Sequence, residues 1–346
     1  MTTVSVIATV RNERDSIAGL IEALLHQTRA PDEIVLVDGG SRDGTADWLE
    51  LVAAVEPRLR VHREPGTTIS QGRNIAIARA QGPVIAVADG GTTPARDWLE
   101  RLVGPLELDP SIAVAGGFYV AGGRTFIERC ISTIITPQLC EIDPGTFLPS
   151  SRSVAFRKDW WQRVGGYPEW LTHCEDLVFD LALKREGAVM KFVPSALVTW
   201  RARPSLWAFA RQYFNYARGD GQALLWPGRQ AARYAAYALG TGLAVGSVIS
   251  WYCAAALCAG LVLHLKKPVV RLVRRPLEPT LFGRVASVTL LPLVVVVGDL
   301  AKIAGYFVGR VERWWAGGEA GLLARLRRAD ALLAGVADLP LSRTER

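Results

Sequence analysis

Two periods of apolar residues alternate along the first hundred positions. Residues 4–9 (Val-Ser-Val-Ile-Ala-Thr) and 33–38 (Glu-Ile-Val-Leu-Val-Asp) are apolar runs of strand length, and each breaks off in a polar, turn-forming cluster. Between them Ile17, Leu20, Ile21, Leu24 and Leu25 follow the i, i+3, i+4, i+7, i+8 spacing of a core-facing helix. Strand, helix and strand in about 35 residues predict a parallel βαβ unit. Further strands are expected at 59–63, at 84–89 after the helix stop Gly82-Pro83, at 112–120 and at 153–157. Helical stretches follow at 158–164 and 175–186. The fold class is therefore α/β, with a mainly parallel sheet flanked by helices.

The pattern changes in the last third. Trp207, Phe209, Ala210, Tyr213, Phe214, Tyr216 and Ala217 make a broad apolar face beside Arg211 and Arg218. That is the composition of a helix lying in a membrane interface, and also of one facing a core. Residues 234–265 then carry no charge, His264 being the only group of the run that titrates near neutral pH. As one helix this run would be about 48 Å long, against a hydrocarbon core of about 30 Å. It is either one strongly tilted helix or a hairpin breaking near Gly246-Ser247. Lys266, Lys267, Arg271, Arg274 and Arg275 follow at once, and with these on the inner side the positive-inside rule favours the hairpin. A second apolar run, 285–298, continues past Asp299 and Lys302, which at i, i+3 are spaced to pair. Residues 310–346, with Arg313, Trp314, Trp315, Arg325, Arg327 and Arg328, have the character of an interfacial or loosely ordered tail.

Charge and cysteines narrow the class. The 346 residues include 40 Lys and Arg against 33 Asp and Glu, a formal net charge of +7. Such a balance suits nucleic acid, anionic lipid or phosphorylated ligands. No nucleic-acid motif is present, and the basic residues gather beside apolar segments, so a membrane is the expected partner. The five cysteines show no C-x-x-C pairing and are expected to be small apolar residues of a reducing cytoplasm. Met1 leads directly into the first strand without a signal-peptide pattern, so the catalytic part is expected to stay on the cytoplasmic face.

The candidate chemistry lies where the strands end. Ligands of parallel sheets collect beyond the carboxyl ends of the strands, which places Thr9, Arg11 and Glu13 beside Asp38, Gly39 and Asp89. Acids and glycines after strands are also ordinary turn formers. It is the joint placement of Asp38, Asp89 and the Thr9–Glu13 loop that marks a nucleotide-type pocket. Arg73, in Gly72-Arg-Asn74, suits a diphosphate, because a guanidinium makes forked hydrogen bonds to phosphate. Glu175-Asp176 opens a helical segment, where acids also complement a helix dipole.

In this order and spacing, several motifs resemble family 2 glycosyltransferases of the GT-A fold, as found membrane-anchored in bacterial cell envelopes. They are Thr9-Val-Arg-Asn-Glu13, Val37-Asp-Gly-Gly-Ser-Arg-Asp-Gly-Thr45, Gly72-Arg-Asn74, Ala88-Asp-Gly-Gly91, Val164-Gly-Gly-Tyr167 and Glu175-Asp176. The resemblance covers about residues 3–220. It implies a nucleotide-diphosphate sugar as donor, with Thr9, Glu13 and Asp38 at the nucleoside and Arg73 near the diphosphate. Asp89 matches the metal-binding acid and Asp176 the base that deprotonates the acceptor hydroxyl, with inversion at the anomeric carbon. The chemistry of the residues agrees: the departing diphosphate needs charge stabilisation and the acceptor needs a base. The cofactor implied is Mg²⁺ or Mn²⁺. Gly91 stands where the family carries the second Asp of Asp-x-Asp, which leaves Asp89 to share the cation with the diphosphate and water; His173 is a candidate helper, and equally reads as a surface or helix-capping residue. The glycine after Asp38, where many relatives carry a second Asp, is a milder departure.

The expected layout is a GT-A domain over 1–220, with a nucleotide-binding half (1–105) and an acceptor half (106–220) that ends in the interfacial helix. Membrane-anchoring helices follow at 230–310 and a basic tail at 311–346. The acceptor is expected to be lipid-linked or an envelope glycan at the inner membrane, with Arg201, Arg203, Arg211 and Arg218 as candidates for a lipid phosphate or the donor diphosphate. A polyprenyl-phosphate glycosyltransferase is the alternative within enzymes. From another class, a non-catalytic nucleotide-sugar-binding scaffold would explain Gly91 but not Glu175-Asp176.

Overall fold

A computed structural model describes residues 2–274 and 281–327, side chains of 281–284 excepted. Arg275 and the part of the basic tail from Arg328 onward lie outside the described residues. By its internal contacts the chain divides into two units. The first comprises Met1–Tyr119, Thr146–Val198 and the chain from Glu312, the second Val120–Gly145 and Thr199–Val311.

The first unit is built on a sheet whose strands are β1 (Val4–Val10), β2 (Glu33–Asp38), β3 (Leu59–Arg63), β4 (Val84–Val87), β5 (Thr92–Pro94), β6 (Ile112–Gly122), β7 (Val154–Arg157) and β8 (Val189–Arg201). Their order is β3-β2-β1-β4-β7-β6-β8-β5. β3, β2, β1 and β4 pair in parallel, as the opening βαβ pattern requires, and β7 pairs antiparallel with both β4 and β6. β6 and β8 run on into the second unit.

Strand periodicity sorts the core onto two faces. Val4, Val6, Ala8 and Val10 of β1 join Ile34 and Leu36 of β2 and Val84 and Ala86 of β4 on one face. Ile7, Val35, Val37, Ile85 and Val87, the residues between, pack on the other. The first face is covered by α1 (Ile17–Leu25), by Leu49 of α2 (Thr45–Ala53) and by α4 (Trp98–Leu108), through Leu20, Leu24, Trp98 and Leu102. The second takes α3 (Ile69–Arg79) and α7 (Glu175–Arg185), through Ala76, Ile77, Phe179 and Leu183, with Trp160 and Trp161 of α6 (Lys158–Arg163) beside them. A sheet buried on both faces reads as continuous apolar runs, which is why strands 1, 2 and 4 stand out in the sequence.

β4 ends two residues before the expected boundary. Ala88 still donates to the Ile7 carbonyl at 3.0 Å, but Thr92 N–H then folds back to the Asp89 carbonyl at 3.1 Å. Asp89 is thereby in a turn rather than in the strand, and the short β5 that follows was not legible in the pattern.

The second unit contains α5 (Phe126–Ile135), α8 (Leu206–Gln222), α9 (Pro227–Gly246), α10 (Trp251–Arg274) and α11, which starts at Leu281 and runs to Ala316 beyond the unit's end. The long uncharged run forms the hairpin rather than one tilted helix. α9 stops at Gly246, where Ser250 N–H bonds the Gly246 carbonyl at 2.9 Å. A side chain on Gly246 would lie 2.9 Å from Cys253 Sγ, so the glycine leaves room for Cys253 at the turn. α8 buries Phe209, Gln212 and Ala217 and leaves Trp207 exposed. Its backbone lies against α11 at Gly305 and Gly309, where any Cβ would collide with the Phe214 and Arg218 carbonyls. Gly305-x-x-x-Gly309 is thus a close-approach face of the kind that packs helices in lipid.

α10 and the stretch Val285–Ala316 are each long and apolar enough to cross a membrane, with mean hydropathies of 1.5 and 1.9.

Candidate active site

Parallel pairing brings the predicted loops to one sheet edge. Val10 pairs with Asp38 and Ile7 with Val87, so Thr9, Asp38 and Asp89 emerge within about two rungs of each other. The loops are stitched together. Asn12, at φ 56°, donates its N–H to Ser41 Oγ at 2.8 Å and accepts from Arg42 N–H at 2.8 Å, while Glu13 N–H reaches Thr45 Oγ1 at 3.0 Å. Asp38 is buried and serves its own turn, accepting from the N–H groups of Gly40 and Ser41 at 3.0 and 2.9 Å and from the Ser41 hydroxyl. Gly40 has φ +94°, a conformation that favours glycine. Gly39 lies close under Thr67, whose carbonyl would stand 3.2 Å from a Cβ there. Arg11 is exposed.

Gly72 lets α3 sit directly on β1, since a Cβ at this position would be 2.7 Å from Thr9 Cγ2. The next residue, Arg73, is the hub of the site. Its guanidinium is 2% exposed and donates from Nη1 to Glu175 Oε1 at 2.6 Å and from Nη2 to Asp89 Oδ1 at 2.7 Å. It also lies 5.3 Å from the centre of the Tyr167 ring. One side chain from α3 thus ties the acid after β4 to the first residue of α7, a sequence separation of 102 residues for the longer link. Arg152 approaches Asp89 Oδ2 at 3.8 Å and also covers the Tyr119 ring.

The positions of Tyr167 and α7 follow from local chemistry. Gly165 and Gly166 both have positive φ, and the tight turn sends Tyr167 N–H to Asn74 Oδ1 at 2.8 Å. Asn74 returns its amide to the Tyr167 carbonyl at 2.9 Å. The Tyr167 ring stacks on Phe179 of α7 at 4.2 Å between centroids, and its hydroxyl meets Ser151 at 2.9 Å. Cys174, at φ 62°, starts α7 abruptly, so Glu175 and Asp176 occupy its first turn.

These surroundings separate the acids. Burial pushes the Asp89 carboxyl up, but the guanidiniums of Arg73 and Arg152 outweigh it and hold Asp89 below the usual carboxylate range. Asp176 goes the other way: burial first, then the neighbouring Glu175 carboxylate, push it up to about 6, against the pull of Arg73 and Arg152. Asp180, one turn further along α7, is buried with Oδ2 lacking a hydrogen-bond partner, and burial and Asp176 raise it well above the ordinary value. The site therefore pairs a firmly ionised acid at Asp89 with a carboxyl poised near neutrality at Asp176, the separation that divides electrostatic from proton-transfer work.

Glu13 turns its carboxylate toward the space over Gly91, where a Cβ would lie 3.7 and 3.9 Å from the two Glu13 oxygens. His173 contacts Thr172 Oγ1 at 3.1 Å. Among the described residues no group of three or more His, Cys, Asp or Glu side chains is arranged to hold a metal ion.

Sequence reasoning missed the parts played by Arg152, Asn74, Tyr167 and Asp180. Tyr167 and Asn74 fall inside motifs already singled out, so their positions were visible while their mutual contact was not. Arg201, Arg203, Arg211 and Arg218 belong to the second unit. Arg201 is bonded to the fully buried Glu128 at 2.7 and 2.9 Å, Arg203 and Arg211 are exposed, and Arg218 is half-buried on α8.

Such a sheet, with a nucleotide-type edge and acids contributed by the turn after β4 and by α7, is that of the GT-A glycosyltransferases. Residues 5–163 match the model of glycosyl transferase family 2, so this part of the chain is a family 2 glycosyltransferase domain. The glycosyltransferase EpsJ of Bacillus subtilis, itself uncharacterised, is 26% identical over 212 residues, 58% of this chain and 62% of that protein. The match thus spans less than two thirds of EpsJ. Glycosyltransferase AglE of Haloferax volcanii is 26% identical over 70% of this chain and 80% of its own length. The succinoglycan biosynthesis protein ExoA of Rhizobium meliloti is 27% identical over 62% and 68%. Among solved structures, the fold is similar to that of the mannosyltransferase PcManGT from Pyrobaculum calidifontis, determined with GDP-mannose and Mn²⁺. The TM-score is 0.53 at 18% identity, covering 90% of this chain and 86% of that one.

Proposed function

We propose that the protein is an inverting, membrane-anchored glycosyltransferase that moves a sugar from a nucleotide-diphosphate donor to a lipid-linked or envelope-glycan acceptor at the cytoplasmic membrane face. The observation that carries this reading is Arg73, which ties Asp89 and Glu175 together and so draws the two acidic motifs into one site. Thr9, Arg11, Glu13, Asp38 and Gly39 form the loops that receive the nucleoside and ribose. Asp176 takes the proton from the acceptor hydroxyl as its oxygen attacks the anomeric carbon. The bond to the diphosphate breaks on the opposite face, and the nucleoside diphosphate departs with the electron pair. Glu175 is fixed by Arg73 and sets the carboxylate field that keeps Asp176 poised.

A divalent cation fits this donor set. Asp89 would hold Mg²⁺ or Mn²⁺ together with diphosphate oxygens, and Glu13 is the carboxylate nearest the space that a second aspartate at position 91 would fill. Such a cation supplies charge neutralisation for the leaving diphosphate. The solved relative with Mn²⁺ and the apolar helices α10 and α11 support the cofactor and the anchoring respectively. ExoA, by its name, acts in polysaccharide biosynthesis, which supports the envelope-glycan acceptor.

The experiment is release of nucleoside diphosphate from a panel of UDP-, GDP- and dTDP-sugars by detergent-purified protein with membrane lipid extract, with Mn²⁺ or with EDTA. The expected result is release from one donor, lost in EDTA and restored by Mn²⁺. Binding of nucleotide with no release from any donor would favour a scaffold instead.

A further inference from the structure

The apolar helices of the second unit enclose a charged cluster. Asp299, midway along α11, is 7% exposed, and side chains from three helices converge on it. Arg233 of α9 brings Nε to 3.3 Å from Oδ1, His264 of α10 brings Nε2 to 3.0 Å from Oδ2, and Lys302, one turn along α11, brings Nζ to 3.4 Å from Oδ1. The Tyr237 hydroxyl donates to Oδ2 at 3.2 Å. Lys302 Nζ also stands 4.7 Å from the centre of the Tyr213 ring of α8. Neither α9 nor α10 contains an acidic residue. One carboxylate therefore serves an arginine, a lysine and an imidazole, with Arg229 a turn away from Arg233 on the same face of α9.

Two independent observations point from this cluster to a ligand. The first is charge. Arg233 and Lys302 against Asp299 leave one positive charge, and Arg229 on the same face of α9 adds a second nearby. Beside α10 and α11, both long and apolar enough for a bilayer, such an excess is costly until an anion joins it. The second is space. A cavity of about 150 Å³ abuts Asp299 and Lys302, and its remaining walls are mostly apolar, including Ile134, Phe209, Pro268 and Val294. Cations at one end and hydrocarbon walls along the rest suit an amphiphile with an anionic head.

We propose that this cluster binds the head group of a single-chain lipid phosphate, a phosphomonoester or diphosphate, with Lys302, Arg233 and His264 on the phosphate and the first carbons of the chain in the cavity. The proposal rests on the membrane-anchored reading above and gives its lipid-linked ligand a place. Charge selects the lipid class. The phosphodiester of a bulk phospholipid carries one negative charge, whereas a phosphomonoester carries about 1.5 to 2 at neutral pH and matches the fuller excess. Size agrees, because about 150 Å³ is the room taken by one small apolar molecule, enough for the first few carbons of a chain.

The test is calorimetric titration of the full chain in detergent with four probes: farnesyl phosphate, farnesol, inorganic phosphate and a short-chain phosphatidylglycerol. Farnesyl phosphate is expected to bind at least tenfold more tightly than each of the others. Lys302→Met should weaken it at least tenfold while leaving the melting transition in place. Asp299→Asn, which removes the competing carboxylate, should hold or tighten it. Farnesol or phosphatidylglycerol binding as well as farnesyl phosphate would overturn the proposal, and so would an unchanged affinity in a folded Lys302→Met chain. If that variant does not fold, the ranking of the four probes on the unaltered chain decides alone. Alkaline extraction of membranes separates the two levels of the reading. A chain released by carbonate removes the anchoring itself, whereas a retained chain that does not prefer farnesyl phosphate removes this inference and leaves the glycosyltransferase reading standing.

Discussion

Replacing Asp176 with asparagine is expected to lower the rate of sugar transfer about a thousandfold, within the range of 10²–10⁴ that a positioned general base contributes. The amide keeps the size of the carboxyl and the hydrogen bond from Leu177 N–H, 2.9 Å in the native chain, so the fold should survive. It cannot accept the acceptor's proton. The substitution also removes one like charge beside Glu175 in a buried place, so the melting temperature should hold or rise slightly. The two readouts point in opposite directions, which distinguishes loss of chemistry from loss of structure. A variant that keeps more than a tenth of the native turnover would remove Asp176 from the role of base.

Arg73→Met is expected to have the largest effect on stability. The methionine approximates the apolar stem, but it strands Glu175, 8% exposed, and Asp89, a quarter exposed, without their cation. Removing one partner of a buried ion pair costs about 3–5 kcal/mol, because the charge left behind is neither solvated nor paired. A second, coupled effect follows. Arg73 is among the charges that restrain the rise of Asp176, so its loss should drive that carboxyl still higher and make less of the base available at neutral pH. Combining Arg73→Met with Glu175→Gln removes the stranded charge, and the double variant should recover about 1–2 kcal/mol relative to the single one. Denaturant titrations of the two variants would measure this. An Arg73→Met chain within about 0.5 kcal/mol of native would show that the guanidinium is not the strut described here.

Most of the sheet was legible because its residues are buried on both faces. β1, β2 and β4 are continuous apolar runs, α1 repeats with the helical period, and the break between α9 and α10 falls at the expected glycine. The GT-A class was legible in motifs that a strand end and a tight turn place locally. Contacts across long stretches of chain were not. Arg73 sits in the third strand–helix unit while Glu175 lies 102 residues later, and no periodicity records that they meet. Asp180 reads as one more polar position of α7, and only the folded chain makes it a buried acid. Asp299 and Lys302 were spaced to pair, but Arg233 and His264 arrive from other helices. The apolar face of α8 illustrates the same gap: its composition suited either a membrane surface or a packing partner, and the glycines of α11 that receive it lie about 90 residues further on.

The central claim is that Asp176, raised by burial and by Glu175, is the group whose ionisation licenses transfer. The measurement that meets it most directly is the pH dependence of kcat for the donor identified in the panel. A base must be deprotonated to act, so turnover should fall tenfold for each pH unit below about 6 and level off above it. A profile that is flat from pH 5 to 8, or that rises as the pH falls, would contradict the account.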